Sequence, residues 1–224
     1  MSLARQHFLR VSAATRAAET DVGPPSRANA YELQLLALAD ARRALKQVQS
    51  VERKAEVKRR VLPQFAPWVR GVLEADRGGQ DLVVMTCMVW LIDIGEFGQA
   101  LDIADYALRH GLTLPDDYRR DVATLVAEEI AEQALAALPA GRQIAADALL
   151  RAEAITAGHD MPDEVRAKLH KAIAQQYLQQ ACMESDAPDI AAARAALQHF
   201  QRAFQLHPRV GVKKDIERLE RLLK

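Results

Sequence analysis

The feature that most constrains the fold is a long stretch without helix-breaking residues near the N-terminus. No glycine or proline occurs between Pro25 and Pro63, and the apolar residues of this stretch recur at helical spacing. We therefore predict one long helix from about Asn29 to Arg60. It should end near Pro63 and Pro67, because proline lacks the amide hydrogen that a helix interior needs. Its apolar face is rich in alanine, which permits close packing against a second helix and suits an oligomer contact.

The opposite side of this predicted helix is basic. Its cations recur at steps of four and seven residues, at Arg42, Lys46, Arg53 and Arg60. Such a row favours binding to duplex DNA, because each phosphate that a cation neutralises releases counterions. The solvated face of a coiled-coil hairpin, with its cations paired to acids elsewhere, fits the same periodicity equally well.

A separate first helix, from about Leu3 to Glu19, carries three arginines and no acid before its last residue. This excess of positive charge favours nucleic acid over the coiled-coil interpretation. The predicted DNA-binding residues are Arg5, Arg10, Arg16, Arg42, Arg43, Lys46, Arg53, Lys54, Lys58 and Arg60.

Helical periodicity continues to the C-terminus, for example over Phe97–Arg109 and Ile190–Leu206, and no segment has the pattern of a strand. Aromatic residues make up only 5% of the chain, which disfavours a β-sandwich or barrel. The predicted fold class is all-α. A long N-terminal helix, in a helical hairpin or coiled coil, precedes a helical bundle with tetratricopeptide-like hairpins. The last detail rests on the spacing of Ala196, Phe200, Ala203 and Pro208.

Charge divides the chain into a basic start, an acidic middle and a basic end. Residues 1–70 hold 13 Lys and Arg against 6 Asp and Glu, residues 71–165 hold 6 against 18, and residues 166–224 hold 11 against 6. Such segregation indicates separate surfaces for separate partners. We predict three segments: basic N-terminal helices for DNA binding and oligomerisation (1–62), a central helical core (63–158), and C-terminal helical hairpins for partner docking (159–224).

The sequence lacks the common catalytic signatures. No glycine is followed by lysine, so there is no phosphate-binding loop of the Gly-x4-Gly-Lys type, and no Gly-x-Ser-x-Gly or His-Glu-x-x-His motif occurs. Acidic clusters are the remaining candidates for a metal-dependent reaction, at Asp160, Asp163 and Glu164 and at residues 116–121. Acids in the first turn of a helix also complement its dipole, and we favour that structural role.

Histidine and cysteine give no pattern of metal ligands. His170 and His199, like His7, His110 and His207, are interpreted as surface or helix-end residues. Cys87 and Cys182 form no disulfide framework, which indicates a reducing, cytoplasmic compartment. The longest apolar run, residues 82–92, is too short to span a membrane. We therefore predict no resident cofactor, no metal and no membrane partner.

Several stretches spread over nearly the whole chain resemble the small terminase subunit of cos-packaging, peduovirus-like temperate phages, a family often called the endonuclease subunit of terminase. They include the segment Arg10–Ala14, the segment Pro67–Glu74 with its Trp-Val pair, and the segments at residues 80–95, 107–113, 161–171 and 211–224. None of these stretches is a catalytic signature. The region from about Asp121 to Thr156 resembles the family least.

The resemblance implies a role in viral genome packaging. Such a subunit recognises the cos site on double-stranded phage DNA, assembles as a homo-oligomeric ring, and works with an ATP-driven large subunit in the host bacterial cytoplasm. The residues favour a chain without intrinsic enzymatic activity. Two alternatives stay open: a DNA endonuclease that uses Mg²⁺ at the acidic clusters, and a helical adaptor that binds proteins and ignores DNA.

Overall fold

The computed structural model of the chain describes residues 2–17, 25–115, 119–140, 146–183 and 189–224. Every regular element in these ranges is helical, which confirms the predicted all-α class. None of the described helices has the length and apolarity needed to cross a bilayer. The α-helices are α1 (Leu3–Ala17), α2 (Pro25–Lys46), α3 (Val51–Ala75), α4 (Leu82–Asp93), α5 (Phe97–Arg109), α6 (Val122–Ala137), α7 (Ala146–Thr156), α8 (Asp163–Met183), α9 (Ile190–Leu206) and α10 (Lys213–Leu222).

The chain divides into two compact units, Met1–Val122 and Ala123–Lys224. The first holds α1 to α5, and the second begins within the first turn of α6. This division follows from compactness alone. The three segments that the sequence assigns to DNA binding, core and partner docking stay a prediction.

The single long N-terminal helix is wrong. α2 ends at Lys46, and a new helix begins at Val51 after a four-residue connection. Ser50 is the N-cap of α3: its hydroxyl accepts a hydrogen bond from the amide of Arg53 at 3.4 Å, and its carbonyl accepts one from Lys54 at 2.9 Å. A serine N-cap can start a new helix even where no glycine or proline ends the previous one.

The predicted helix end at the prolines is also wrong. Pro63 and Pro67 both lie inside α3, which continues to Ala75. Each proline removes one helical hydrogen bond. The helix nevertheless continues because Phe65 and Trp68 are fully buried beside the prolines, so burial of large side chains outweighs the lost hydrogen bonds.

The first unit is built around α3 and α4. α1 packs along α3, and the backbones come so close that a Cβ atom built on Gly71 would lie 2.1 Å from the carbonyl oxygen of Arg10. α4 is buried on nearly all sides, as its apolar sequence predicts. The carboxylate of Asp81 caps α4 through the amides of residues 83 and 84, and its other oxygen accepts the indole N–H of Trp68 at 3.0 Å.

The second unit is built around the antiparallel hairpin of α8 and α9. The amide of Asp189 donates to the carbonyl of Ala181 at 3.3 Å, which pairs the end of α8 with the start of α9. Buried alanines line the contact and let the helices approach closely; Phe200 is fully buried among them. α10 packs on α9, and α7 packs on α8. The tetratricopeptide-like character of this hairpin is not confirmed.

Candidate nucleic-acid interface

The predicted cations of α1 lie on a helix that is held tightly to α3. Arg5 is exposed. Arg10 forms an ion pair with Glu74 at 3.6 Å, in which both side chains are about half exposed. An exposed pair of this kind contributes little to stability, and its arginine remains able to exchange a carboxylate for a phosphate. Arg16 lies in α1, but its side chain is outside the described residues.

The cations at the end of α2 surround a surface cleft of about 530 Å³. Arg42, Arg43 and Lys46 line it together with apolar side chains, including Leu38 and Leu82. Arg43 also pairs with Asp40, one turn earlier on the same helix. Cations in a last helical turn complement the negative end of the helix dipole, so these side chains have a structural role as well.

The cations of α3 differ in how accessible they are to a DNA phosphate. Arg53 and Arg60 are exposed, and Lys54 is partly exposed. Lys58 is different: its ammonium group lies 2.5 Å from the carboxylate of Asp93, and only 15% of its side chain is exposed. Its charge is therefore already neutralised within the protein, and its contribution to DNA binding should be the smallest of the set.

The interruption at residues 47–50 changes the geometry of the predicted interface. Arg42 and Lys46 belong to α2, whereas Arg53 and Arg60 belong to α3. One straight row on one helix face is therefore wrong. The cations instead flank a short turn between two helices, with Lys46 just before it and Arg53 just after it. Their assignment to DNA binding stays a prediction.

The acidic candidates lie where a helix begins. Asp160, Asp163 and Glu164 are all exposed, and the last two occupy the first turn of α8. This position fits the dipole role that the sequence analysis favours. Of the second cluster, residues 116–118 lie outside the described part of the chain, and Asp121 is exposed just before α6.

The structure brings together three side chains that no spacing in the sequence connects. Glu153 of α7, His170 of α8 and His199 of α9 place their possible ligand atoms within 4.8 Å of one another, the one such group of three or more among the residues described. The two Nδ1 atoms of the imidazoles are 3.0 Å apart, and Oε1 of Glu153 lies 3.4 Å from Nδ1 of His170.

The surroundings of the cluster keep both imidazoles neutral. Burial is the main cause, and it lowers the pKa of His170 to about 4; the neighbouring ring of His199 and the positive charges of Arg202 and Arg166 act in the same direction. Burial also lowers the pKa of His199, and the carboxylate of Glu153 opposes that shift. At pH 7 both rings are therefore neutral, each has one unprotonated nitrogen, and one Nδ1–H donates to the Nδ1 of the other ring. The contact of Glu153 with His170 is then a polar contact rather than an ion pair.

The interpretation of His170 as a surface or helix-end residue is wrong, since it is 9% exposed and lies in the middle of α8. His199 likewise lies inside α9. The two are 29 residues apart in sequence, and only the register of the α8–α9 hairpin brings them together. No local spacing could have revealed the cluster.

Comparison with known proteins identifies the family. The sequence profile of the phage small terminase subunit matches residues 35–164, more than half of the chain. The chain belongs to the phage small terminase subunit family. The profile covers the second half of α2 and runs through the start of α8, so it includes the cations at the α2–α3 turn and leaves out α1, His170 and His199.

Two curated relatives agree with this assignment. This small terminase subunit is 46% identical, over 223 residues, to the "Terminase, endonuclease subunit" of Escherichia phage P2; the alignment covers all of this chain and 86% of the relative. It is 27% identical to the "Probable terminase, endonuclease subunit" of Haemophilus phage HP1 over 194 residues, which cover 85% of this chain and 69% of the relative. No solved structure matches the chain.

Proposed function

We propose that this small terminase subunit is the DNA-recognition and assembly component of a phage packaging complex. It binds the cos site of double-stranded phage DNA in the host bacterial cytoplasm. It assembles as a homo-oligomeric ring and delivers the DNA to an ATP-driven large subunit. In this proposal the chain itself performs no chemical step.

The observation that carries the proposal is the group of cations around the α2–α3 turn. Lys46 and Arg53 are exposed on either side of the four-residue connection, and Arg42 and Arg43 line the adjoining cleft. Cations gathered at a turn can reach neighbouring phosphates of one DNA backbone, and each phosphate contact adds to affinity through counterion release.

Salt-dependent DNA binding tests the proposal. Binding of a duplex with the cos sequence is measured by fluorescence anisotropy from 50 to 300 mM NaCl, for the full chain and for a variant with Arg42→Glu, Lys46→Glu and Arg53→Glu. Three lost phosphate contacts should reduce the slope of log K against log salt by about 2.7, since each contributes about 0.9. The loss of affinity should be similar for duplexes with the cos sequence and with a shuffled sequence, because phosphate contacts carry no sequence information.

A matched variant controls for net charge. Arg194, Lys214 and Arg218 are also exposed, but they lie in the second unit and outside the predicted set. Reversing these three charges changes the net charge by the same amount, and it should leave the slope nearly unchanged. Equal slopes for the wild-type chain and the Arg42, Lys46 and Arg53 variant would reject the assignment of the interface.

The relatives' names support a second candidate function, a metal-dependent endonuclease. Exposed carboxylates at Asp160, Asp163 and Glu164 would bind Mg²⁺ and activate a water for phosphodiester hydrolysis. The test incubates the purified chain with cos DNA and Mg²⁺ or Mn²⁺ in the absence of the large subunit. Nicking that disappears in Asp163→Ala would establish this function, and intact DNA in all samples would reject it for this chain.

A further inference from the structure

Three helices of the second unit direct metal-ligating side chains towards one point. Glu153, His170 and His199 come from α7, α8 and α9, and their possible ligand atoms lie within 4.8 Å of one another. A carboxylate and two neutral imidazoles are a ligand set that zinc uses at three-ligand sites, where water takes the fourth position.

The distances match tetrahedral coordination along two of the three edges. Zinc bonds of about 2.0–2.1 Å at tetrahedral angles place two ligand atoms about 3.3 Å apart. The two imidazole Nδ1 atoms are 3.0 Å apart, and Oε1 of Glu153 is 3.4 Å from Nδ1 of His170. The remaining edge, from Glu153 to His199, lies within 4.8 Å. Metal binding requires it to shorten through movement of the glutamate, whose side chain is 29% exposed.

We propose that Glu153, His170 and His199 form a zinc site that fastens α7 to the α8–α9 hairpin. His199 stacks on Tyr177 with ring centroids 5.9 Å apart and an angle of 24° between the planes, which orients its imidazole before a metal arrives. His170 is 9% exposed, so duplex DNA has no access to it. The proposed metal therefore joins helices of the second unit and does not act on DNA.

The positive charges near the site weaken its affinity for zinc. Glu153 supplies one negative charge, whereas Arg166 of α8 and Arg202 of α9 act on His170 as positive neighbours. A bound Zn²⁺ with these three ligands keeps one unit of positive charge, and the arginines disfavour it. Arg166 also donates to the carbonyl of His159 at 2.6 Å, an interaction that fixes its guanidinium and keeps that charge in place.

Metal titration of the full chain tests the proposal. The protein is stripped with EDTA, dialysed, and titrated with ZnCl₂ by calorimetry, and then with CoCl₂ while visible absorption is recorded. We expect one equivalent of zinc, visible Co²⁺ bands of tetrahedral intensity, and a rise in Tm of roughly 5–10 °C when free zinc exceeds its Kd by 100-fold. The Co²⁺ spectrum needs no substitution, so it tests the site even where a variant unfolds.

Substitutions assign the ligands. His199→Gln and Glu153→Gln should each weaken zinc binding by more than the roughly 10–100-fold that loss of an outer-shell partner costs. His207→Gln is the matched control, because His207 is the C-cap of α9, the helix that carries His199, and lies outside the cluster. Failure of the wild-type chain to bind zinc would overturn the proposal and leave a hydrogen-bonded pair of imidazoles. Equal binding by His199→Gln and His207→Gln would overturn it as well.

Discussion

Substitution of Gly71 by alanine should loosen α1 from the first unit. An alanine Cβ at this position would lie 2.1 Å from the backbone oxygen of Arg10 and 2.8 Å from its carbonyl carbon. An ordinary contact begins near 3.4 Å, so the two helices must separate by about 1.3 Å. The obstacle is backbone, which cannot rotate away as the end of a side chain could.

The magnitude follows from two opposing effects. Alanine is favoured over glycine inside a helix by about 1 kcal/mol. Forced separation of a packed contact costs about 1–3 kcal/mol, and it also exposes part of Leu9 and Ala13, which are now buried. The difference is about 0–2 kcal/mol, and the exposure of Leu9 and Ala13 adds to it, so we expect the free energy of unfolding to fall by about 1–2 kcal/mol.

Gly98→Ala is the matched control. Gly98 also lies in a helix, but nothing lies within 4 Å of a Cβ built on it. This substitution should raise stability by about 0.4–1 kcal/mol, because it restricts the unfolded chain without a clash.

Urea unfolding followed by tryptophan fluorescence compares the two variants, since Trp68 and Trp90 both lie in the first unit. Limited proteolysis adds a local readout, because a loosened α1 should be cleaved faster in Gly71→Ala. If Gly71→Ala is as stable as Gly98→Ala, the close crossing of α1 and α3 is refuted.

Three further predictions concern other contacts. Asp81→Ala removes both the cap of α4 and the acceptor of the Trp68 indole, and should lower the free energy of unfolding by about 2–3 kcal/mol in urea titrations; a loss under 0.5 kcal/mol would contradict this. Arg53→Gln should lower the salt slope of DNA binding by about 0.9, whereas Lys58→Gln should change it much less, because its charge is already paired. In EDTA, His170 of the folded chain binds a proton only near pH 4, whereas His170 of the unfolded chain binds one near pH 6.5. The free energy of unfolding should therefore fall as the pH drops from 6.5 towards 4. That part of the acid sensitivity should be absent in His170→Gln, as measured by the urea midpoint at each pH.

The sequence predicts those helices whose limits are set by local chemistry. Phe97–Arg109 and Ile190–Leu206 have the predicted bounds, because a glycine break or a polar loop accompanies an amphipathic pattern. The prediction fails at α2 and α3, where an ordinary Ser50 starts a new helix and Pro63 is accommodated inside one. Burial of Phe65 and Trp68 decides that outcome, and burial depends on the partner helices rather than on local propensity.

The candidate sites show the same limit. The excess of cations near the N-terminus is visible in the composition, but their arrangement is not: pairing of Lys58 with Asp93 joins residues 35 positions apart. The cluster of Glu153, His170 and His199 depends on three helices meeting in a particular register. Such long-range geometry is encoded in packing, and no single stretch of sequence contains it.

The indole of Trp68 gives the first unit a built-in optical probe. It belongs to α3, is fully buried, donates to Asp81 at the start of α4, and stacks on Tyr31 of α2 with ring centroids 5.6 Å apart. Any shift of α2 against α3 changes that stacking, and therefore the quantum yield and wavelength of the emission. With Trp90 replaced by phenylalanine, the emission of Trp68 alone reports in real time on movement between α2 and α3, the two helices whose cations flank residues 47–50.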